Sequence, residues 1–566
     1  MLRCKNLSVR AGGADGALIL SDVNAEFCPR ALNAVIGPSG CGKTTLVKAM
    51  LRLTDGEGKS FFEGREIHDP EELAGRVGFA QQFTNAFPQL SVEETFRAAL
   101  DLSVRDARER ERRMESVLAV TGLAEHRDKR VGTLSGGQLR RLGLGVELTL
   151  DPACLVCDEV TSGLDPNSES QILALLRRLV QERGKAFVCI IHNLAKVEVF
   201  DWVTVVFQGA VVFQGSPALL LEYFDVPDAL HIYDVLNAQP VAFWRERWDG
   251  FLANNPGHFF WHEPTADESS SAPPATHAQA RPVGVPRQFM TLLRRRSLLF
   301  LRDTGYFALT LAITFGFPLI VVIFALGGLP EVPRVPLERV QASLEAFTQA
   351  FEVQKVRVNA GALASGLVMF QVILLTLMGA NNGGREIAGE RSLYEKERLT
   401  GLRPMAYVLS KMAFVALVAC FQGAWMACFV KLVCGFPGPW GLQLGTMMAV
   451  CVSMSLVCLG FSAIMQSAEK ASLLSIYLVG FQIPLSGVVL ALPDALTWVC
   501  RPFINAYWGW SGFMSSMHAE HIYDAYSETN LRMFIASPGT SNAVLALQAL
   551  TGIALIIAGC VRRRAL

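Results

Sequence analysis

Over the first 260 residues or so, apolar positions come in short runs of about five, separated by charged or glycine-rich stretches. The runs at Leu2–Val9, Leu18–Ala25, Leu32–Ile36, 153–157, Val188–Ile191 and 203–213 have strand length, the last folding back on itself as two strands. Between them, Leu46–Leu53, 101–115, Leu139–Leu148 and Pro217–Phe224 carry helical spacing. Strands alternating with helices predict an α/β domain. Beyond residue 305 the pattern changes to long uncharged runs, and six membrane-spanning helices are expected near 306–327, 360–381, 406–433, 443–465, 471–492 and 544–561. Between the halves, 262–286 has the composition of a tether, and 287–304 alternates apolar residues with Arg294, Arg295, Arg296 and Arg302 as a basic amphipathic helix on an anionic membrane face does. The expected division is therefore a soluble domain at 1–261, a linker at 262–286, a connecting helix at 287–304 and a membrane domain at 305–566.

Composition adds three constraints. Lys+Arg and Asp+Glu balance at 51 each, so no global basic field points to nucleic acid. Six of the thirteen cysteines lie in the soluble half, including Cys154 and Cys157 inside one apolar run, which reads as buried strand packing and not as a zinc pair. The arginines and lysines at 294–302, 385–411 and 562–564 fall on one side of the spans, which places both termini and the soluble domain in the cytoplasm; the absence of an N-terminal signal-like segment agrees.

Chemistry concentrates in the soluble half. Gly37-Pro38-Ser39-Gly40-Cys41-Gly42-Lys43-Thr44-Thr45 follows a strand and opens a helix, the setting of a phosphate-binding P-loop. Backbone N–H groups close around a polyphosphate, Lys43 reaches the β- and γ-phosphates, and Thr44 offers a hydroxyl to Mg²⁺. Cys157-Asp158-Glu159 ends an apolar strand in two acids: Asp158 to hold Mg²⁺ and Glu159 to polarise the attacking water. Gln82, at a strand end, reaches Mg²⁺ or that water, and His192, at the end of another strand, contacts the γ-phosphate. Ser135-Gly136-Gly137-Gln138 at a helix start forms a second phosphate-binding surface. It lies too far along the chain to serve the same nucleotide within one subunit, so it implies a second copy.

Together the P-loop, Gln82, the Leu134–Gln138 motif, Asp158-Glu159, the Ser162–Asp165 turn and His192 resemble the ATPase signature of ABC transporters. The order, ATPase first and membrane domain second, is similar to that of White-type G-subfamily half-transporters. The resemblance implies an ABC-type α/β P-loop ATPase fold joined to an all-α polytopic membrane domain. It implies ATP and Mg²⁺ as cofactors, and a homodimer, or a pairing with a related half-transporter, in which Lys43 of one copy faces Ser135 and Gly137 of the other, with Asp165 beside the nucleotide. It further implies that the charged cluster Arg385, Glu386, Glu390, Arg391 and Glu397 couples membrane helices to the ATPase, and that Cys500 pairs across a dimer in some members. Where such ATPases place an adenine-stacking aromatic, this chain carries Arg10. Few polar residues interrupt the spans; Gln371 and Gln482 are candidates for a substrate cavity, and Lys431 is expected to snorkel outward. The functional expectation is ATP-driven export of a lipophilic or amphipathic molecule through a plasma or inner membrane by alternating access. The alternative is a membrane-anchored, ATP-driven regulator or mechanotransmitter that moves no solute through itself.

Overall fold

The computed structural model describes residues 2–11, 16–82, 85–255, 258, 283–326, 329, 344–490, 492–518, 523, 526 and 534–561. Of the expected tether at 262–286, residues 262–282 lie outside the described residues, as does the basic tail at 562–564, while Val285 and Pro286 already belong to the helix expected from 287. The chain divides into two compact units: the first runs to Thr291 and takes back Ser392–Arg403, and the second holds Leu292–Arg391 and the chain from Pro404 onward.

The first unit contains two sheets. Antiparallel β1 (Leu2–Arg10), β2 (Leu18–Glu26), β4 (Glu57–Phe62) and β5 (Arg65–Glu66) lie in the order β2-β1-β4-β5. The larger sheet contains β3 (Leu32–Ile36), β6 (Val77–Ala80), β7 (Cys154–Asp158), β8 (Ala186–Ile190), β9 (Trp202–Phe207) and β10 (Ala210–Gly215), in the order β10-β9-β3-β8-β7-β6. All of its pairings are parallel except the β9/β10 hairpin. β3 and β7 are buried at every position, which is why they read as unbroken apolar runs and not as alternating strands. Two hydrophobic clusters cover the faces of this sheet.

Its helices start and stop where their sequence says they must. They are α1 (Lys43–Met50), α2 (Val92–Ser103), α3 (Ala107–Thr121), α4 (Gly136–Leu148), α5 (Pro166–Arg183), α6 (Pro217–Phe224), α7 (Ile232–Asn237) and α8 (Val241–Asn254). Ser91 with Glu94, and Ser135 with Gln138, form capping boxes; Gly122 and Gly184 end α3 and α5 in left-handed conformation. The helix expected over 101–115 is interrupted, because Asp106 caps a new helix by accepting from the Glu109 N–H at 2.9 Å. The charges read there as a solvated, ion-paired face do pair: Glu109 with Arg112 and Arg113, and Glu93 with Arg97 and Arg127.

α9 (Val285–Arg302) supplies its first turns to this unit, with Gln288 donating to the carbonyls of Leu102 and Gly401. The second unit is helical: α10 (Thr304–Ile323), α11 (Leu344–Gly383), α12 (Arg391–Leu399, most of which belongs to the first unit), α13 (Pro404–Cys434), α14 (Trp440–Ile464), α15 (Ala468–Gly480), α16 (Gln482–Leu485), α17 (Asp494–Cys500), α18 (Asn505–Ser515) and α19 (Pro538–Val561). Among the described residues, five helical segments are long and apolar enough to cross a bilayer, ending in or built from α10, α11, α13, α14 and α19. The sixth expected span, 471–492, covers most of α15, of 13 residues, and α16, of 4, which meet at Phe481. In the segment after it, every residue of α18 from Asn505 to Met514 is buried in the helical core.

Candidate functional site

The ends of β3, β7 and β8 meet at one edge of the parallel sheet, and the residues that follow each strand build the site there. Gly37 leaves β3 with φ +151, and a Cβ at this position would lie 2.1 Å from the Val206 carbonyl oxygen, so only glycine fits. Gly42, at φ +102, turns the chain into α1. Ser39 and Gly40 stay exposed at the tip of the loop, with nothing within 4 Å of a Cβ built on Gly40. Beneath the tip, Lys43 is buried and its Nζ donates to the carbonyls of Gly37 and Pro38, both at 2.9 Å. Cys41 packs inside the loop, where burial pushes its thiol pKa up. Thr45 is half-buried on the first turn of α1.

Thr44 Oγ1 donates to Asp158 Oδ1 at 3.0 Å, joining the P-loop to the end of β7. Burial pushes the Asp158 carboxyl above its ordinary range, with the Thr44 hydrogen bond and the Lys48 charge opposing the shift. The next residue, Glu159, has φ +51, a left-handed conformation that costs a non-glycine residue and is held by its surroundings. Two residues expected at the Mg²⁺ or water and at the γ-phosphate bond its side chain: Gln82 Nε2 donates to Glu159 Oε2 at 2.7 Å, and His192 Nε2 lies 2.5 Å from Glu159 Oε1. The three residues read separately from strand ends thus form one cluster around a carboxylate.

Ser135, Gly136, Gly137 and Gln138 form the start of α4, where Ser135 Oγ accepts from the Gln138 N–H at 3.3 Å and Gln138 Oε1 accepts from the Ser135 N–H at 3.0 Å. Ser135 and Gly136 are exposed. Asp165 caps α5 by accepting from the N–H groups of Asn167 and Ser168, and its bonds to Ser168 hold its carboxyl below the usual range.

Sequence reasoning missed two residues here. Tyr233, on α7, bonds Gly37 with its hydroxyl, donating to the carbonyl at 3.0 Å and accepting from the N–H at 2.9 Å. Glu147, near the end of α4, is 3 % exposed; its Oε2 accepts from the Phe79 N–H at 3.2 Å, and its Oε1 pairs with Lys396 Nζ at 2.6 Å. Neither lies in a recognisable string, and both partners are distant in sequence.

The charged cluster between the second and third expected spans is split by the fold. Arg385, exposed, and Glu386, Glu390 and Arg391 belong to the helical unit. There Glu386 pairs with Arg296 at 2.5 Å and with Lys411 at 2.9 Å, Glu390 pairs with Lys411 at 2.6 Å, and Arg391 donates to the carbonyls of Ala463 and Gly559. Glu386, Glu390 and Arg391 therefore brace helices of their own unit. The following segment, Ser392–Arg403, is part of the ATPase unit: besides Lys396, Arg398 lies 3.6 Å from Glu71, and Leu399 and Thr400 line a small apolar pocket with Leu51, Leu73 and Phe79. Glu397 is half-buried on this segment, and its carbonyl accepts from Thr400 Oγ1 at 2.8 Å.

Within the helical unit, Gln371 and Gln482 are buried. Gln371 Nε2 donates to the Met426 carbonyl at 3.3 Å, and Gln482 Oε1 accepts from the Ala506 N–H at 3.0 Å, so both tie neighbouring helices together in this conformation. Lys431 does not snorkel: it is 6 % exposed and donates to the carbonyls of Phe436 and Gly438 and to Gln443 Oε1, at 2.6 to 2.9 Å. Three oxygens replace water around its ammonium, and the loop after α13 supplies them. Cys500 is half-buried with a free thiol in this chain.

A P-loop, a strand-end Asp-Glu pair, a glutamine and a histidine on that glutamate, and an exposed serine-glycine helix start define an ATP-binding cassette, here followed by a helical membrane domain. Residues 20–162 match the family described as ABC transporter, and residues 287–517 match that described as ABC-2 type transporter. The chain belongs to the ABC transporter family, and its order of domains, ATP-binding cassette first and ABC-2 type membrane domain second, is consistent with a White-type G-subfamily half-transporter. It is 27 % identical over 549 residues to the ABC transporter ATP-binding/permease protein Rv1747 of Mycobacterium tuberculosis, covering 89 % of this chain and 58 % of that protein. It is 35 % identical over 205 residues to the energy-coupling factor transporter ATP-binding protein EcfA1 of Thermotoga maritima, covering 36 % of this chain and 78 % of that protein. It is 32 % identical over 237 residues to ABC transporter G family member 26 of Arabidopsis thaliana, covering 40 % and 34 %. The chain thus spans little more than half the length of the mycobacterial relative and a third of the plant one.

Proposed function

We propose that two copies of this chain form an exporter of lipophilic or amphipathic molecules, with Mg²⁺-ATP closing the ATPase pair and membrane helices alternating between inward- and outward-facing states. The observation that carries the coupling is the buried Lys396–Glu147 pair at 2.6 Å. Lys396 sits on a segment whose flanks, α11 and α13, are membrane helices in sequence, yet its partner lies on α4, the helix that Ser135 caps. Glu147 also holds the N–H of Phe79 on β6, three residues before the Gln82 that bonds Glu159. A shift of the segment is therefore felt at both the serine-glycine helix and the glutamine. Breaking a buried pair from one side costs about 3–5 kcal/mol, enough to make this contact decisive.

The site fits its cofactors. The Thr44 hydroxyl and the buried Asp158 carboxylate, 3.0 Å apart, are hard oxygen donors of the kind Mg²⁺ takes alongside nucleotide phosphates, and Gln82 would complete them. Mg²⁺ supplies charge neutralisation at the phosphates. Glu159, oriented by Gln82 and His192, serves as the acceptor for the proton of the attacking water. Lys43 has buried carbonyls to exchange for phosphate oxygens. The exposed Ser135 and Gly136 offer a second wall for the nucleotide from the other copy. Among the described residues, the charges buried between membrane helices at Glu386, Lys411 and Lys431 have partners, which suits uncharged or amphipathic cargo.

The test is purified protein in lipid vesicles, with ATP hydrolysis and efflux measured across a panel of lipophilic compounds. Stimulation of hydrolysis by a compound that is itself moved, lost in Lys396→Ala while unstimulated hydrolysis persists, is expected. Hydrolysis indifferent to every compound and to Lys396→Ala would remove the coupling role and the exporter reading with it.

A further inference from the structure

Gly37 stands one residue beyond the end of β3, past the last ladder pairings: β8 pairs last with Val35, and β9, which itself runs on to Phe207, pairs last with Ile36. In an extended residue the N–H and C=O point to the same side, as they do toward a partner strand. At φ +151 Gly37 keeps that arrangement, and the Tyr233 hydroxyl fills the place of the missing strand, bonding both groups. The Gly37 carbonyl has one other donor, Lys43 Nζ at 2.9 Å. For Lys43 to turn toward a phosphate it must loosen its hold on this carbonyl, which is buried and costly to leave bare.

We propose that Tyr233 is a positioning residue for nucleotide binding, keeping the first P-loop glycine paired so that Lys43 is free to serve the phosphates. The proposal rests on nucleotide binding at the P-loop and reaches beyond it, to a segment outside every ATPase motif. The anchor is rigid. α7 is only 6 residues long, but Ile232 and Leu236 are fully buried, and Trp244 Nε1 donates to the Leu236 carbonyl at 3.1 Å. Behind it, Tyr223, Phe224, Trp248 and Phe251 pack ring on ring. Burial pushes the Tyr233 phenol up to about 12, so it remains a donor throughout the neutral range.

The experiment uses the full chain in lipid nanodiscs with mant-ADP as the probe, comparing Tyr233→Phe with Tyr223→Phe, a buried tyrosine whose hydroxyl has no hydrogen-bond partner among the described residues. Tyr233→Phe is expected to raise the Kd for mant-ADP and the KM for ATP about 5- to 20-fold with kcat within about twofold, while Tyr223→Phe changes neither. Should Tyr233→Phe fold poorly, 2,3,5-trifluorotyrosine at position 233 replaces it. Its hydroxyl ionises at lower pH than that of tyrosine and then accepts but cannot donate; since the site that raises the native phenol raises this one too, the Kd is expected to rise several-fold from about pH 7 to about pH 9.5 against a flat wild-type profile. Equal Kd in wild type and Tyr233→Phe, equal loss in both phenylalanine variants, or a flat fluorotyrosine profile would each overturn the assignment. Lys43→Ala runs alongside: if it still binds mant-ADP, the fault lies in the P-loop reading and not in Tyr233.

Discussion

At the scale of single residues, Glu159 concentrates the chemistry because its strained backbone points one carboxylate at two helpers. Glu159→Gln is expected to keep ATP bound while hydrolysis falls about 10²- to 10⁴-fold, read as phosphate release beside nucleotide retention. Wild-type turnover in this variant would take the base role away from Glu159. Glu26 offers a separate test by pH. Burial raises its carboxyl pKa to about 7, with Arg3 opposing, so the folded state binds a proton that the unfolded chain has already lost. Stability should therefore fall as pH rises from about 4.5 toward about 7 and stay reduced above it. Glu26→Gln, neutral throughout, should flatten that profile and melt higher than wild type at about pH 8, by a margin on the order of 2 kcal/mol after solvent screening. Lys43, Asp158, Glu159 and His192 were legible in sequence because each sits in a fixed string at a strand end. Tyr233 was not, since 196 residues separate it from Gly37 and a lone tyrosine carries no spacing signal.

At the scale of elements, glycines decide how closely the membrane helices pack. A Cβ on Gly552 would fall 2.6 Å from the backbone of Leu456, and one on Gly559 2.6 Å from the Ala463 carbonyl oxygen, so α14 and α19 touch backbone to backbone. Gly552→Leu should force them apart and sharply lower the yield and melting temperature of folded protein, whereas Leu547→Ala, on the exposed side of α19, should leave both near wild type. Native-like melting of Gly552→Leu would contradict that packing. Hydropathy made five of the helices legible, and the sixth expected span, 471–492, holds two shorter helices, α15 and α16. Apolar composition over some twenty residues does not reveal that the two meet at Phe481. The charged cluster was legible as a cluster; its division into Glu386 with Arg296 and Lys411 on one side and Lys396 with Glu147 on the other depends on which unit each turn packs into.

For the whole molecule, the proposed pairing of two copies has a kinetic consequence. If each nucleotide is held by the P-loop of one copy and the serine-glycine turn of the other, the two copies work together. Mixing wild type with Glu159→Gln before assembly should then lower hydrolysis by more than the fraction of variant added. A strictly linear fall would mean that each chain hydrolyses ATP alone. Lys396→Glu should uncouple compound-stimulated from unstimulated hydrolysis, and Glu147→Lys in the same chain should restore part of the coupling, because exchanging the charges rebuilds the pair.

By itself the sequence determined the ATPase motifs, the order of the two domains and the membrane character of the second half, because these depend on local strings and on the length of apolar runs. The tertiary structure alone decided that Gln82 and His192 converge on Glu159, that Tyr233 pairs Gly37, and that Lys396 joins the ATPase unit through Glu147. Those contacts form between residues far apart in the chain, and burial makes their polar groups find one another, which no local pattern encodes.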